Sequence, residues 1–177
     1  MFAGFGGQGI LLSGKILAQA AMSQGYEVAW VPCYGPEMRG GTAYCTVVIS
    51  DEAIGSPIIK NPLHLVAMNG PSLEKFRGHV ISGGIVLINT SLASGSTKRS
   101  DIDELPVPAT EIAREIGNVK AANIVALSAF VFHSKLVDFD LFRNCVSAEF
   151  SHKPKLIPLN MTAVEKGQAV ALSIGKK

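Results

Sequence analysis

The fold class this sequence predicts is α/β: one three-layer α/β/α domain built on an open, mostly parallel sheet. Three observations predict it. Short runs rich in β-branched residues alternate with longer stretches of helical spacing. A glycine-rich turn, Gly4-Phe5-Gly6-Gly7-Gln8-Gly9, stands straight before the first helical stretch, the arrangement that makes the fold Rossmann-like. No internal repeat or long linker divides the 177 residues, so residues 1–177 are read as a single domain.

The elements follow in order. Only Met1 to Ala3 precede the glycine turn, so either the first strand is a stub or residues upstream of Met1 belong to it. Ile10 to Met22 places Leu11, Gly14, Leu17, Ala18 and Ala21 on one helical face. Tyr26 to Val31, Thr42 to Ile49, Leu63 to Met68 and Ile85 to Ile88 read as strands. Helices are expected over 72–77, 110–116, 121–134, 138–150 and 162–174. The polar stretch Ser94 to Glu104 reads as a surface loop. The segment Ala121 to Phe132 is apolar nearly all round, either a central helix or one shared with a partner.

Composition excludes several classes. Hydrophobic residues make up 47% of the chain and charged residues 17%, against about 25% in ordinary soluble domains. Such a chain is not disordered. It has few charges for its own surface, which suits a subunit with a covered face or, alternatively, a compact monomer. The longest apolar stretch is shorter than the about 20 residues a membrane span needs. Net charge is +2, with no basic stripe, so nucleic-acid binding is not expected. Cys33, Cys45 and Cys145 form no CxxC, and His64, His79, His133 and His152 have no ligand spacing, so no metal is expected. A cytoplasmic location is the default expectation.

Two motifs can carry chemistry. Glycines in Gly4, Gly6, Gly7 and Gly9 let the chain turn sharply and bare backbone N–H groups at a helix amino end. The turn is an anion cradle or a purely structural tight turn. A dinucleotide site needs an acid at the end of the second strand, and none stands near Ala29-Trp30-Val31. The second motif is Tyr34-Gly35-Pro36-Glu37-Met38-Arg39-Gly40-Gly41. It is a rigid mix for a connection, and reads as a functional or interface loop or as a solvated turn with a local Glu37–Arg39 pair. Both loops fall at the carboxyl ends of strands, where open α/β sheets bind ligands. No nucleophile elbow or acid–base set is present, so no catalytic residue is assigned.

The two glycine motifs, in this order and spacing, resemble the gamma subunit of 2-oxoacid:ferredoxin oxidoreductases, the pyruvate-ferredoxin oxidoreductase gamma-domain family. Leu65 to Met68, Gly83 to Asn89 and Asn160 to Gly167 also sit where the family has similar stretches. Phe5 and the run from Tyr34 to Gly41 look most like the 2-oxoglutarate type. The resemblance implies a subunit, inactive alone, of a hetero-oligomer that converts 2-oxoglutarate, coenzyme A and oxidised ferredoxin to succinyl-CoA, CO2 and reduced ferredoxin. Thiamine diphosphate, magnesium and iron–sulfur clusters would be held by partner subunits, with coenzyme A as substrate and ferredoxin met through the complex. Gly4, Gly6, Gly7, Gln8 and Gly9 become the candidate anion loop, and Tyr34, Glu37, Arg39, Gly40 and Gly41 the candidate cofactor-facing or interface loop. The alternatives are an indolepyruvate or branched-chain oxoacid enzyme, or a free-standing nucleotide-binding module.

Overall fold

A computed structural model describes residues 1–33 and 42–175. The strands are β1 (Phe2–Phe5), β2 (Glu27–Cys33), β3 (Thr42–Ser50), β4 (Leu65–Ala67), β5 (Ile85–Asn89) and β6 (Asp103–Val107). The helices are α1 (Ile10–Ser23), α2 (Gly70–Phe76), α3 (Ala109–Glu115), α4 (Ala122–Ser134), α5 (Phe139–Glu149) and α6 (Ile157–Ile174). One sheet holds the strands in the order β2-β3-β1-β4-β5-β6. β3 runs antiparallel to both neighbours, and the other pairs are parallel. Five strands therefore share one direction and the sheet is mostly parallel, as expected.

The two faces are covered unequally. Phe2, Val66, Leu87, Leu105 and Val107 point to a core shared with α1, α3, α4, α5 and α6. Ala3, Leu65, Ala67, Val86 and Ile88 point the other way, where, among the described residues, Leu73 and Phe76 of α2 pack on them with Val80, Ala93 and Ile102. The reading of α4 as a central helix holds: residues Ala122 to Val131 are all buried. Ser128 satisfies its hydroxyl on Val164 O at 2.6 Å, which ties α4 to α6.

Two element expectations need correction. Asp103 and Glu104, placed in the polar loop, begin the edge strand β6, which holds its register against Ile85–Asn89. An edge strand keeps one solvated side and tolerates Pro106, so its composition resembled a loop. The surface loop before it is pinned: Arg99 donates to Val80 O at 2.6 Å and grips Asp101. That guanidinium holds the Asp101 carboxyl down at about 2. Finally, α6 starts at Ile157, five residues before Thr162, with Pro158 in its first turn, where a missing N–H costs nothing.

The start of β1 makes stability depend on pH. The Met1 ammonium donates to His64 O at 2.8 Å and is enclosed, so desolvation pulls its pKa from 8.0 down to about 6. Burial, and then that ammonium, also lowers the His64 pKa, and His64 Nδ1 accepts the Ile85 N–H at 3.0 Å. For both groups the unfolded chain binds more protons, so stability rises with pH. Urea melts of a chain that starts at Met1 should gain about 2 kcal/mol from the α-amino group between pH 6 and pH 8. A stability that is flat or falls across this window would contradict the buried ammonium.

Candidate functional site

The site forms where β1, β4 and β5 end side by side. β1 reaches Phe5, and the chain then turns through Gly6 to Gly9 into α1. Gly4 lies in the strand, paired opposite Ala43, rather than in the turn. Gln8 ties the turn down. Its N–H donates to Phe5 O at 3.1 Å. Its Oε1 accepts from Phe5 N–H at 2.6 Å and from Asn69 Nδ2 at 2.9 Å. With its amide oxygen doubly engaged, Gln8 braces the end of β1 against the end of β4.

Gly9 has φ 73°, a left-handed conformation, and precedes α1 without any side-chain cap. No acidic residue stands in the first turn of α1. Its carbonyl accepts from Ser13 N at 3.0 Å and from Asn123 Nδ2 at 3.2 Å, so α4 reaches across to fix the turn. Gly6 and Gly7 are exposed, and Gly7 has φ 91° with open space around it. An uncapped, positive helix end beside exposed glycines suits an anion.

A buried amide network braces the neighbouring strand ends. Asn89, the last residue of β5, donates to Met68 O at 3.1 Å and to Thr110 Oγ1 at 2.9 Å. Asn69 Oδ1 accepts Ser72 N–H at 2.9 Å and caps α2. Between the glycine turn and this network lies a small cavity of about 110 Å³, lined in part by Gly7, Gln8, Met68, Thr110 and Lys120. Lys120 is exposed, and among the described residues it makes no ion pair. Its place is set by Asn118, whose side chain accepts the Lys120 N–H at 3.0 Å.

Sequence reasoning assigned the glycine turn but not Asn69, Asn89, Thr110, Lys120 or Asn123. A signal existed for some of them. Asn69 precedes Gly70-Pro71, a cap followed by a first-turn proline, and Asn89 closes an apolar run. Tyr34, Glu37, Arg39, Gly40 and Gly41 lie outside the described residues. The ends that flank them, Cys33 and Thr42, stand on the same sheet edge as Phe5, which pairs with Thr42.

Other candidates are placed away from chemistry. Glu27 begins β2, at the edge opposite the glycine turn, so the described part of β2 offers no acid to a ribose. Lys15 pairs with Glu149 at 2.8 Å. Burial pushes the Cys45 thiol up to about 11, and its Sγ donates to Ile10 O at 3.4 Å. Cys33 holds the Tyr44 phenol above its usual range through a side-chain hydrogen bond. Among the described residues no group of three or more His, Cys, Asp or Glu stands close enough to hold a metal. None of the described helices is long and apolar enough to cross a membrane.

Comparison with known proteins gives a consistent picture. The family model for pyruvate ferredoxin/flavodoxin oxidoreductase matches residues 1–170. The chain is 47% identical over 166 residues to the ketoisovalerate oxidoreductase subunit VorA of Methanothermobacter marburgensis, covering 93% of this chain and 34% of that protein. It therefore spans about a third of that relative's length. It is 36% identical to the 2-oxoglutarate synthase subunit KorC of Methanocaldococcus jannaschii, covering 95% of this chain and 90% of that one. The solved gamma subunit of a keto/oxoacid ferredoxin oxidoreductase from Geobacter sulfurreducens superposes with a TM-score of 0.84 at 28% identity, covering 97% of this chain and 96% of that chain.

Proposed function

The chain belongs to the pyruvate ferredoxin/flavodoxin oxidoreductase family, and from that premise we propose that it is the gamma-type part of a thiamine-dependent 2-oxoacid:ferredoxin oxidoreductase. The complex would convert a 2-oxoacid, coenzyme A and oxidised ferredoxin to acyl-CoA, CO2 and reduced ferredoxin. The single observation that carries a role for this chain is the uncapped amino end of α1 behind the exposed glycine turn. It fits an anionic group, and we assign it to coenzyme A phosphate, with Lys120 as the nearby cation. The glycine N–H groups would bind and orient the phosphate, and no bond is made or broken on this chain.

The described residues do not fit an iron–sulfur cluster. Cys45 and Cys33 stand on opposite faces of the sheet, because Cys45 pairs with Pro32 and Tyr44 with Cys33. Cys145 lies on α5, with its Sγ beside Ser23 Oγ of α1 at 4.0 Å. Thiamine diphosphate, its magnesium and the clusters are therefore assigned to partner subunits, in a cytoplasmic complex. The half-buried Ala29, Val31, Tyr44 and Val48, which share the face of β2 and β3 away from Cys45, support a partner there.

Two oxoacids compete as substrate. The run from Tyr34 to Gly41 looks like the 2-oxoglutarate type, whereas identity is higher to the ketoisovalerate subunit, 47% against 36%. Dye reduction by the native complex, with each acid in turn, decides between them. A thermal-shift titration of the chain with NAD, FAD and ATP tests the remaining rival, a free-standing nucleotide module. Strong stabilisation by a dinucleotide, with none by coenzyme A, would overturn the subunit reading.

Arg39 supplies the mutational test. Its planar fork suits a carboxylate, a phosphate or a partner's carbonyls. Arg39→Ala should leave the isolated chain folded and weaken assembly, or raise the KM for coenzyme A, by roughly ten- to a hundred-fold. Arg39→Lys should rescue only in part. Unchanged assembly and unchanged coenzyme A kinetics would remove this residue from the site.

A further inference from the structure

The cavity beside the glycine turn is furnished with donors. Its described wall carries no acidic side chain. Met68 stands in that wall, but its carbonyl already accepts from Asn89 Nδ2 at 3.1 Å. Lys120 brings an ammonium that makes no ion pair among the described residues. Gln8 Nε2 has two hydrogens and meets one acceptor, Met68 O, at a long 3.5 Å.

Thr110 adds a buried donor that the fold leaves unused. It is 4% exposed and stands in the cavity wall. Its Oγ1 accepts from Asn89 Nδ2 at 2.9 Å. The roles in this bond are fixed. The same Asn89 atom meets the Met68 carbonyl, which can only accept, so it is the NH2 group and not the amide oxygen. Thr110 Oγ1 therefore receives, and its own hydrogen is left over. Among the described residues that hydrogen finds no acceptor. With one lone pair of Oγ1 held by Asn89, the hydrogen turns away from β5. A buried hydroxyl hydrogen without a partner is costly, and folded interiors keep few of them.

We propose that the Thr110 hydroxyl is a specificity-determining donor: it binds a phosphoryl oxygen of the ligand held at the glycine turn and selects phosphorylated ligands over phosphate-free ones. The inference rests on the assignment of coenzyme A phosphate to that turn, and adds a residue to it. Turn N–H groups, Gln8 Nε2, the Thr110 hydroxyl and the Lys120 ammonium then converge on a group that offers only acceptors. Asn89 acts one step behind, as the residue that orients the hydroxyl.

The test is dye reduction by the assembled complex, with coenzyme A or with pantetheine, which carries no phosphate, as acyl acceptor. Thr110→Val should raise the KM for coenzyme A roughly ten- to a hundred-fold and leave kcat unchanged. It should leave kcat/KM for pantetheine unchanged. Thr110→Ser, which keeps the hydroxyl, should restore the KM to within about threefold. If the Thr110→Val complex fails to assemble, Thr110→Cys carries the same expectation, because a thiol is a weak donor. Equal losses with coenzyme A and pantetheine would overturn the proposal, since the hydroxyl would then only hold the fold. An unchanged KM in Thr110→Val would overturn it too, and Lys120→Ala shows how far the damage reaches. A KM for coenzyme A that still rises with Lys120→Ala keeps the phosphate at the turn and removes Thr110 alone. A KM that moves with neither variant removes the phosphate assignment as well.

Discussion

Gly9→Ala is expected to lower the stability of the isolated chain by about 2–4 kcal/mol, or roughly 5–12 °C in Tm. Two effects add. The residue holds φ 73°, which costs an alanine about 1–2 kcal/mol. The new Cβ would also stand 2.5 Å from Asn123 Nδ2 and 2.6 Å from Asn123 Cγ. Asn123 is 3% exposed on a buried helix, so it has little room to retreat. The bond it donates to Gly9 O would be lost with the movement. Gly7→Ala is the control: its φ is also positive, yet an added Cβ meets nothing within 4 Å, so only about 1 kcal/mol of strain is expected. Adding Asn123→Ala to Gly9→Ala should restore part of the loss. Equal costs at Gly7 and Gly9 would show that the contact with α4 does not shape the turn.

Asn89→Leu should cost a similar amount, about 2–4 kcal/mol, although leucine keeps asparagine's branching and number of side-chain heavy atoms. Asn89 is fully buried, and its amide serves Met68 O, Thr110 Oγ1 and, at 3.4 Å, Thr110 N. The apolar side chain satisfies none of them. The ends of β4 and β5 and the start of α3 would then contain unpaired polar groups, which are costly in a dry interior. Asn89→Asp should be no better, because it turns a carboxylate oxygen toward the Met68 carbonyl. A double-mutant cycle with Thr110→Ala, read by urea unfolding, measures the coupling. Single and double variants that add independently would mean that the two side chains do not act together.

Much of the fold was legible because the periods are strong. The helices at 121–134 and 138–150 matched to within a residue at most ends, since α4 is apolar all round and Asp138 caps α5. The reversed direction of β3 was also signalled. Only the eight residues 34–41 separate it from β2, too few for the crossover a parallel pair needs. Counting that connection would have placed the hairpin. β6 was not legible in the same way, because Asp103, Glu104 and Pro106 describe a loop as well as an edge strand.

The site was half legible. Glycines at 4, 6, 7 and 9 announce a turn before a helix, and the turn is there. The amides that hold it come from Asn69 and Asn123, 61 and 114 residues away from their partners in the turn. Their meeting is set by strand order and by the path of α4, which spacing along the chain does not encode.

The central claim, that this chain is a part of a 2-oxoacid:ferredoxin oxidoreductase that needs partners to act, has one direct measurement. The purified chain, the remaining subunits without it, and the two recombined should be assayed for dye reduction driven by a 2-oxoacid and coenzyme A. The account predicts no turnover by the chain alone and activity only on recombination. Turnover of any 2-oxoacid by the pure chain, or full activity of the other subunits without it, would contradict the account.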